Sequence, residues 1–142
     1  MVGRTRETYA ALAAARAPRG VVHHDFILGN CHFVRRGRGW SAGVLDFDDL
    51  GHGFLLYDLA PLLGNLVEFP GSARLRAAFL SGYRSVAELP RELESHLPML
   101  MAARHASTCA WLIEIHRTRG GGPPVREHLA YRFAEIRRSL SL

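Results

Sequence analysis

An α+β fold is predicted, mostly helical with one short β-hairpin, and two observations predict it. Brief apolar runs at Val21-Val22, Cys31 to Val34 and Val44-Leu45 crowd the front of the chain, and a glycine-bearing turn joins the last two. From Leu55 onward the apolar residues recur at helical spacing, broken by proline and glycine.

The elements follow in order. Thr5 to Ala17 is alanine-rich, with Tyr9, Leu12 and Ala13 at helical spacing, and Pro18-Arg19-Gly20 ends it. Val21-Val22 is a short strand. His23 to Asn30 is polar and reads as a loop. Cys31 to Val34 is a second strand, Arg35 to Ser41 with Gly37 and Gly39 is a turn, and Val44-Leu45 is a third strand. Leu55 to Val67 is a strongly apolar helix carrying Pro61. Phe69-Pro70-Gly71 breaks the chain, and Ser72 is an N-cap candidate for a helix reaching about Val86. Pro90 opens a long helix to about Arg117, which Pro98 could split. Gly120-Gly121-Gly122-Pro123-Pro124 is a further break. Val125 to Leu140 is the last helix, with Leu129, Phe133 and Ile136 on one face. The expected arrangement is a small hairpin buried against a helical bundle. Leu62, Leu63, Leu66, Trp111, Leu112 and Ile115 are the candidate core.

At 142 residues the chain suits a single domain, residues 1–142. No apolar run approaches the ~20 residues that span a bilayer. Met1-Val2-Gly3-Arg4-Thr5-Arg6 has no apolar stretch behind it, so no secretory signal is read. A cytoplasmic location without a membrane partner is expected, and Cys31 and Cys109, far apart, read as reduced thiols. The formal charge is +5, and all 18 basic residues are arginines. They are scattered and not interleaved with aromatic residues, so no nucleic-acid partner is expected.

The polar loop reads His23-His24-Asp25-Phe26-Ile27-Leu28-Gly29-Asn30, and the third strand runs into Asp46-Phe47-Asp48-Asp49. Strands ending in acidic residues present oxygen ligands to hard cations, and magnesium takes one or two carboxylates plus phosphate oxygens. Phosphoryl transfer needs such ions and a group that positions the attacking hydroxyl. The stretch supplies a candidate base, an amide ligand and a carboxylate ligand in workable order.

Several plainer readings compete. His23, His24 and Asp25 could begin a zinc site, but no histidine pair at metal spacing completes it. His105, His116 and His128 read as helix-surface residues. Asp48 and Asp49 could be capping acids ahead of Gly51, and Asp58 a buried hydrogen-bonding anchor or a dipole partner at a helix start. Gly51-His52-Gly53 resembles a phosphate loop only superficially. Arg35, Arg36 and Arg38 read as a solvated turn.

These motifs in this order resemble the aminoglycoside phosphotransferase and related small-molecule kinases. That family shows His-Gly-Asp, four residues and Asn, then a strand ending in Asp-Phe-Asp, then a Tyr-Asp-Leu-Ala helix. Here stand His23, Asp25 and Asn30, then Val44-Leu45-Asp46-Phe47-Asp48-Asp49, then Leu56-Tyr57-Asp58-Leu59-Ala60. Phe79-Leu80-Ser81-Gly82-Tyr83-Arg84 is similar to the family's helical region.

The resemblance implies the C-terminal lobe of a protein-kinase-like fold, with ATP as phosphoryl donor, Mg2+ and a small-molecule hydroxyl acceptor. Asp25 would orient or deprotonate the acceptor hydroxyl. Asn30 would hold one magnesium ion, and Asp46 would bridge both ions and the ATP phosphates. Asp48 would add a contact to metal or water. His23 would support the loop, and Asp58 would tie the next helix to it.

Two departures carry expectations. His24 stands where the family has glycine, so its side chain should strain the loop or project into the site. The chain holds no lysine, so the family's phosphate-pairing lysine and the nucleotide lobe that carries it are expected to be absent. Self-association or a separate N-terminal lobe would then cover the apolar surface. The rival reading is a non-enzymatic remnant that binds a ligand or a protein. The arginines on the last helix, Arg126, Arg132, Arg137 and Arg138, argue for an acceptor other than a polycationic antibiotic.

Overall fold

A computed structural model describes residues 1–119 and 125–141. The glycine-proline break at residues 120–124 lies outside them. Helix α1 (Val2–Ala14) leads into β1 (Arg19–Val22), which pairs antiparallel with β4 (Gly51–Phe54). Between these two strands the chain makes the polar loop, a single 3-10 turn at Leu28–Asn30, and the hairpin of β2 (Cys31–Arg36) and β3 (Gly39–Val44). Helices α2 (Leu56–Leu66), α3 (Ser72–Arg84), α4 (Arg91–Glu94), α5 (Leu97–Arg119) and α6 (Val125–Ser141) complete it. Among the described residues no helix is long and apolar enough to cross a membrane.

The core lies where α2 packs on α5, closed by α1 and the α3–α4 segment. Leu12, Ala60, Leu63, Leu97 and Leu100 are almost fully buried there. Burying such a side chain contributes roughly 1.5–3 kcal/mol, so the helical layers hold the molecule together. The hairpin does not share in this. Nearly every residue of β2 and β3 is exposed, Trp40 at 71 % and Phe33 at 52 %. The expected burial of the hairpin against the bundle is therefore corrected: the hairpin projects, and the small sheet next to the core is β1–β4.

That second ladder was not anticipated. Gly51-His52-Gly53 is a strand, paired through its backbone as Gly20↔Gly53 and Val22↔Gly51. Two helix starts also differ from expectation. Gly71, at φ +76, caps α3, and Ser72 is its first helical residue, because the preceding turn needs a left-handed residue. The stretch from Pro90 is split, as Pro98 suggested, but the break falls just before that proline, between α4 and α5. Pro98 sits in the first turn of α5, where its missing N–H costs nothing.

On α6 the buried residues are Glu135 and Ser139, while Phe133 is 52 % exposed. Arg132 of α6 reaches His105 of α5 at 3.1 Å, and Glu135 pairs with Arg138 on α6 itself at 3.3 Å. Trp111, expected in the core, is 60 % exposed, whereas Leu62, Leu63, Leu66 and Leu112 are buried as expected.

Candidate active site

The polar loop leaves β1 at His23 and reaches β2 at Asn30, and α2 holds it at two points. The Asp58 carboxylate accepts the backbone N–H groups of His23 (2.7 Å) and His24 (2.9 Å). Seven positions along the same helix, Asn65 Oδ1 accepts the N–H of Leu28 (3.1 Å). That spacing puts both side chains on one helix face. A polar pair in an otherwise apolar helix serves backbone donors that β pairing leaves free.

The hairpin then brings the two ends of the site together. Its last pair is Cys31↔Val44, and Leu45 N–H donates to Asn30 O (2.9 Å) just beyond. Asn30 and Asp46 thus flank the foot of the same ladder. His23, 7 % exposed, donates from Nε2 to Leu45 O (2.9 Å), and its ring packs on Phe47 with centroids 4.9 Å apart. The ring fastens the loop to the segment carrying Asp46. Asp46 itself is exposed and left-handed, at φ +63. Aspartate is one of the few L residues that tolerate this, and such residues gather at functional sites.

Asn30 and Asp25 form the centre. The Asn30 amide nitrogen donates to Asp25 O (2.9 Å) and to Asp25 Oδ2 (3.0 Å). The amide oxygen faces away and, among the described residues, accepts no hydrogen bond. The other carboxylate oxygen of Asp25 is paired with Arg104 of α5. Asp25, Asp46, Asp49 and Arg104 line one cleft of ≈ 510 Å³, whose far walls are α2, α5 and Arg132 of α6. Asp48 is exposed and does not line it.

The donor set suits magnesium. The free amide oxygen of Asn30 and the exposed carboxylate of Asp46 are hard oxygen ligands. Among the described residues no three His, Cys, Asp or Glu side chains are grouped to hold a metal. Magnesium needs no such cage, since substrate phosphates supply much of its shell.

A model of the phosphotransferase enzyme family matches residues 2–96. The chain belongs to that family. The matched stretch contains the polar loop, the hairpin and α2. Over 86 residues the chain is 40 % identical to a homoserine kinase of Sinorhizobium fredii (strain NBRC 101917 / NGR234), covering 58 % of this chain and 26 % of the relative. Its fold is similar to that of a microcompartment-associated aminopropanol kinase, with a TM-score of 0.70 at 23 % identity, over 98 % of this chain and 44 % of that one. The chain thus spans about a quarter of the homoserine kinase and under half of the aminopropanol kinase.

His24, at the position the resemblance assigns to glycine, has φ +64, so the backbone is the left-handed one that glycine adopts freely. Its ring is not among the side chains lining the cleft. It turns toward Gly51, where an added Cβ would lie 2.6 Å from the ring. Nδ1 donates to Asp49 O (2.9 Å), and the ring meets Tyr57 edge-on at 5.4 Å. These contacts offset a left-handed cost of roughly 1–2 kcal/mol. His24→Gly is therefore expected to destabilise by about 1 kcal/mol, because a hydrogen bond and an aromatic contact outweigh the relieved strain. His24→Ala keeps the strain and loses the contacts, so about 2 kcal/mol is expected. Urea midpoints that rank alanine above glycine would overturn this account.

Three members of the site were missed. Asn65 was not singled out within the apolar helix Leu55 to Val67, although its spacing from Asp58 was a readable signal. Arg104 stands in an alanine-rich stretch that marks no face. His105, expected on the surface, is 2 % exposed, wedged between α5, α6 and Gly64. Burial and the neighbouring Arg132 and Arg104 push its pKa down to about 4.

Proposed function

We propose that this chain supplies the metal-holding and acceptor-holding half of a kinase that transfers the γ-phosphoryl group of ATP to a hydroxyl of a small molecule. The observation that carries this is the Asp25–Asn30 unit. One side-chain amide ties a candidate base to an outward amide oxygen at the foot of a hairpin whose other leg ends in Asp46. Family membership makes phosphoryl transfer the reaction class.

Asp25 accepts the acceptor's hydroxyl hydrogen and holds the oxygen in line for attack. Asn30 and Asp46 offer oxygen ligands, and Asp48, beside them in sequence, reaches metal-bound water. Magnesium bound there would neutralise charge on the transferring phosphoryl group. His23 and Asp58 keep loop and hairpin foot in register. The relatives' names give homoserine, a small hydroxy amino acid with a carboxylate, and aminopropanol, a small amino alcohol, which favours an acceptor of that size over an aminoglycoside. Apolar side chains exposed on and beside the hairpin, Phe33, Trp40 and Phe47 among them, suit a nucleotide-holding lobe or a second copy.

A second reading, a ligand-binding module that transfers nothing, is favoured by one contact: Arg104 occupies Asp25. Titration calorimetry separates the two. Magnesium-dependent ATP binding that weakens at least about tenfold in Asp46→Ala is expected for the kinase half. No heat at millimolar ATP would leave the binding module as the better account.

A further inference from the structure

Phosphoryl transfer as described leaves two arginines of the cleft without a task. Arg104 pairs with Asp25 within the cleft. Arg132, on α6, lines the same cleft, and among the described residues it pairs with no carboxylate. Its Nη1 donates to His105 Nδ1 at 3.1 Å, and its buried Nε has no hydrogen-bond partner. A desolvated donor left unpaired costs stability, and the charge of Arg132 stands at the cleft wall. His105 brings no negative charge, because it meets Arg132 as a neutral acceptor. Of the three acids lining the cleft, Asp25 pairs with Arg104, while Asp46 and Asp49 come from the segment after the hairpin. At the end formed by α5 and α6 two guanidiniums therefore share one carboxylate, that of Asp25, and Arg132 has no acidic partner among the described residues.

We propose that Arg104 and Arg132 select an acceptor that carries a carboxylate, a small hydroxy acid with its hydroxyl at Asp25 and its carboxylate on the two guanidiniums. This rests on the phosphotransfer reading of the same cleft. Guanidinium forks match planar carboxylates in a bidentate way. Arg104 touches Asp25 directly, so the anchoring group and the reacting hydroxyl must lie only a few bonds apart. A carboxylate that takes Arg104 also releases the Asp25 oxygen that Arg104 holds. The base is then free only when an acceptor with the right anion is bound, which ties recognition to reaction.

The test compares glycerate with glyceramide, which differ by the charge, on the unmodified chain, by NMR shifts of backbone and arginine side-chain N–H groups. Glycerate is expected to bind at least about tenfold more tightly than glyceramide and to shift the Arg104 and Arg132 signals. Arg132→Gln should abolish the preference, while Arg126→Gln, exposed on the same helix, should keep it. If Arg132→Gln fails to fold, the acid-against-amide comparison and Arg104→Gln still decide. Equal affinities, or no binding of either at high millimolar concentration, would overturn the proposal. Inorganic phosphate that outcompetes glycerate would also overturn it, assigning the arginines to the donor's phosphates. Magnesium-dependent ATP binding, titrated separately, reports the kinase reading. ATP binding without acid preference sinks only this inference, and acid preference without ATP binding sinks only the kinase.

Discussion

As pH falls from 6.5 to 4, the chain is expected to lose on the order of 3 kcal/mol of stability through His105 alone. The imidazole is 2 % exposed and its pKa is about 4 in the folded chain, against 6.5 for the free side chain. The folded pKa is the lower one, so in this range the unfolded chain binds the extra proton and acid favours unfolding. The contribution is flat above pH 6.5 and falls below it, by about 2 kcal/mol at pH 5. Every element packed on the ring contributes to the cause. Arg104 precedes it on α5, Arg132 and the edge of Tyr131 face it from α6, and Glu68 beyond α2 is the one neighbour acting the other way. Urea unfolding at pH 7 and pH 5 measures the effect. His105→Gln keeps an acceptor for Arg132 but cannot take up a proton in this range, so its stability should change about 2 kcal/mol less between the two conditions. Parallel behaviour of the two proteins would mean that His105 is solvated enough to titrate normally.

What the sequence made legible is local. The Asp25–Asn30 spacing, the short strands around it and the acidic strand end are all read within a few residues, and they fold through contacts across one hairpin. What it hid depends on distant partners. Gly51-His52-Gly53 has no strand propensity, and it is a strand only because β1 offers a backbone edge and the His24 ring leaves no room for a Cβ. His105 and Arg104 lie on a 23-residue helix with no clear apolar face, so nothing local says which side α6 will cover. Trp111 looked like core by composition, yet it stands on the rim of a cleft that exists only once α2, α5 and α6 have met. His24 shows the reverse case. The family's glycine at this position led to the expectation that His24 strains the loop or projects into the site, and the structure shows a left-handed residue held by its ring.

Asp58→Ala is expected to destabilise by about 3 kcal/mol, because it strips the acceptor from two backbone N–H groups at once. Its position in the first turn of α2 offers a plainer role, as a negative charge at the positive end of the helix, worth roughly 0.3–1 kcal/mol. Asp58→Asn separates the two. If the charge on the dipole were the whole effect, asparagine and alanine would cost the same, about 1 kcal/mol or less. If the carboxylate is a clamp, asparagine retains one acceptor oxygen and turns N–H against the other donor, so it should cost about 2 kcal/mol, between wild type and alanine. Hydrogen exchange adds the positional evidence: the His23 and His24 amides should lose protection in both variants while those of β2 keep theirs. A graded loss centred on these two amides would mean that Asp58 holds the left-handed turn in which His24 sits. Asp25 follows that turn directly, so the clamp on the backbone at His23 and His24 sets where the candidate base meets Asn30.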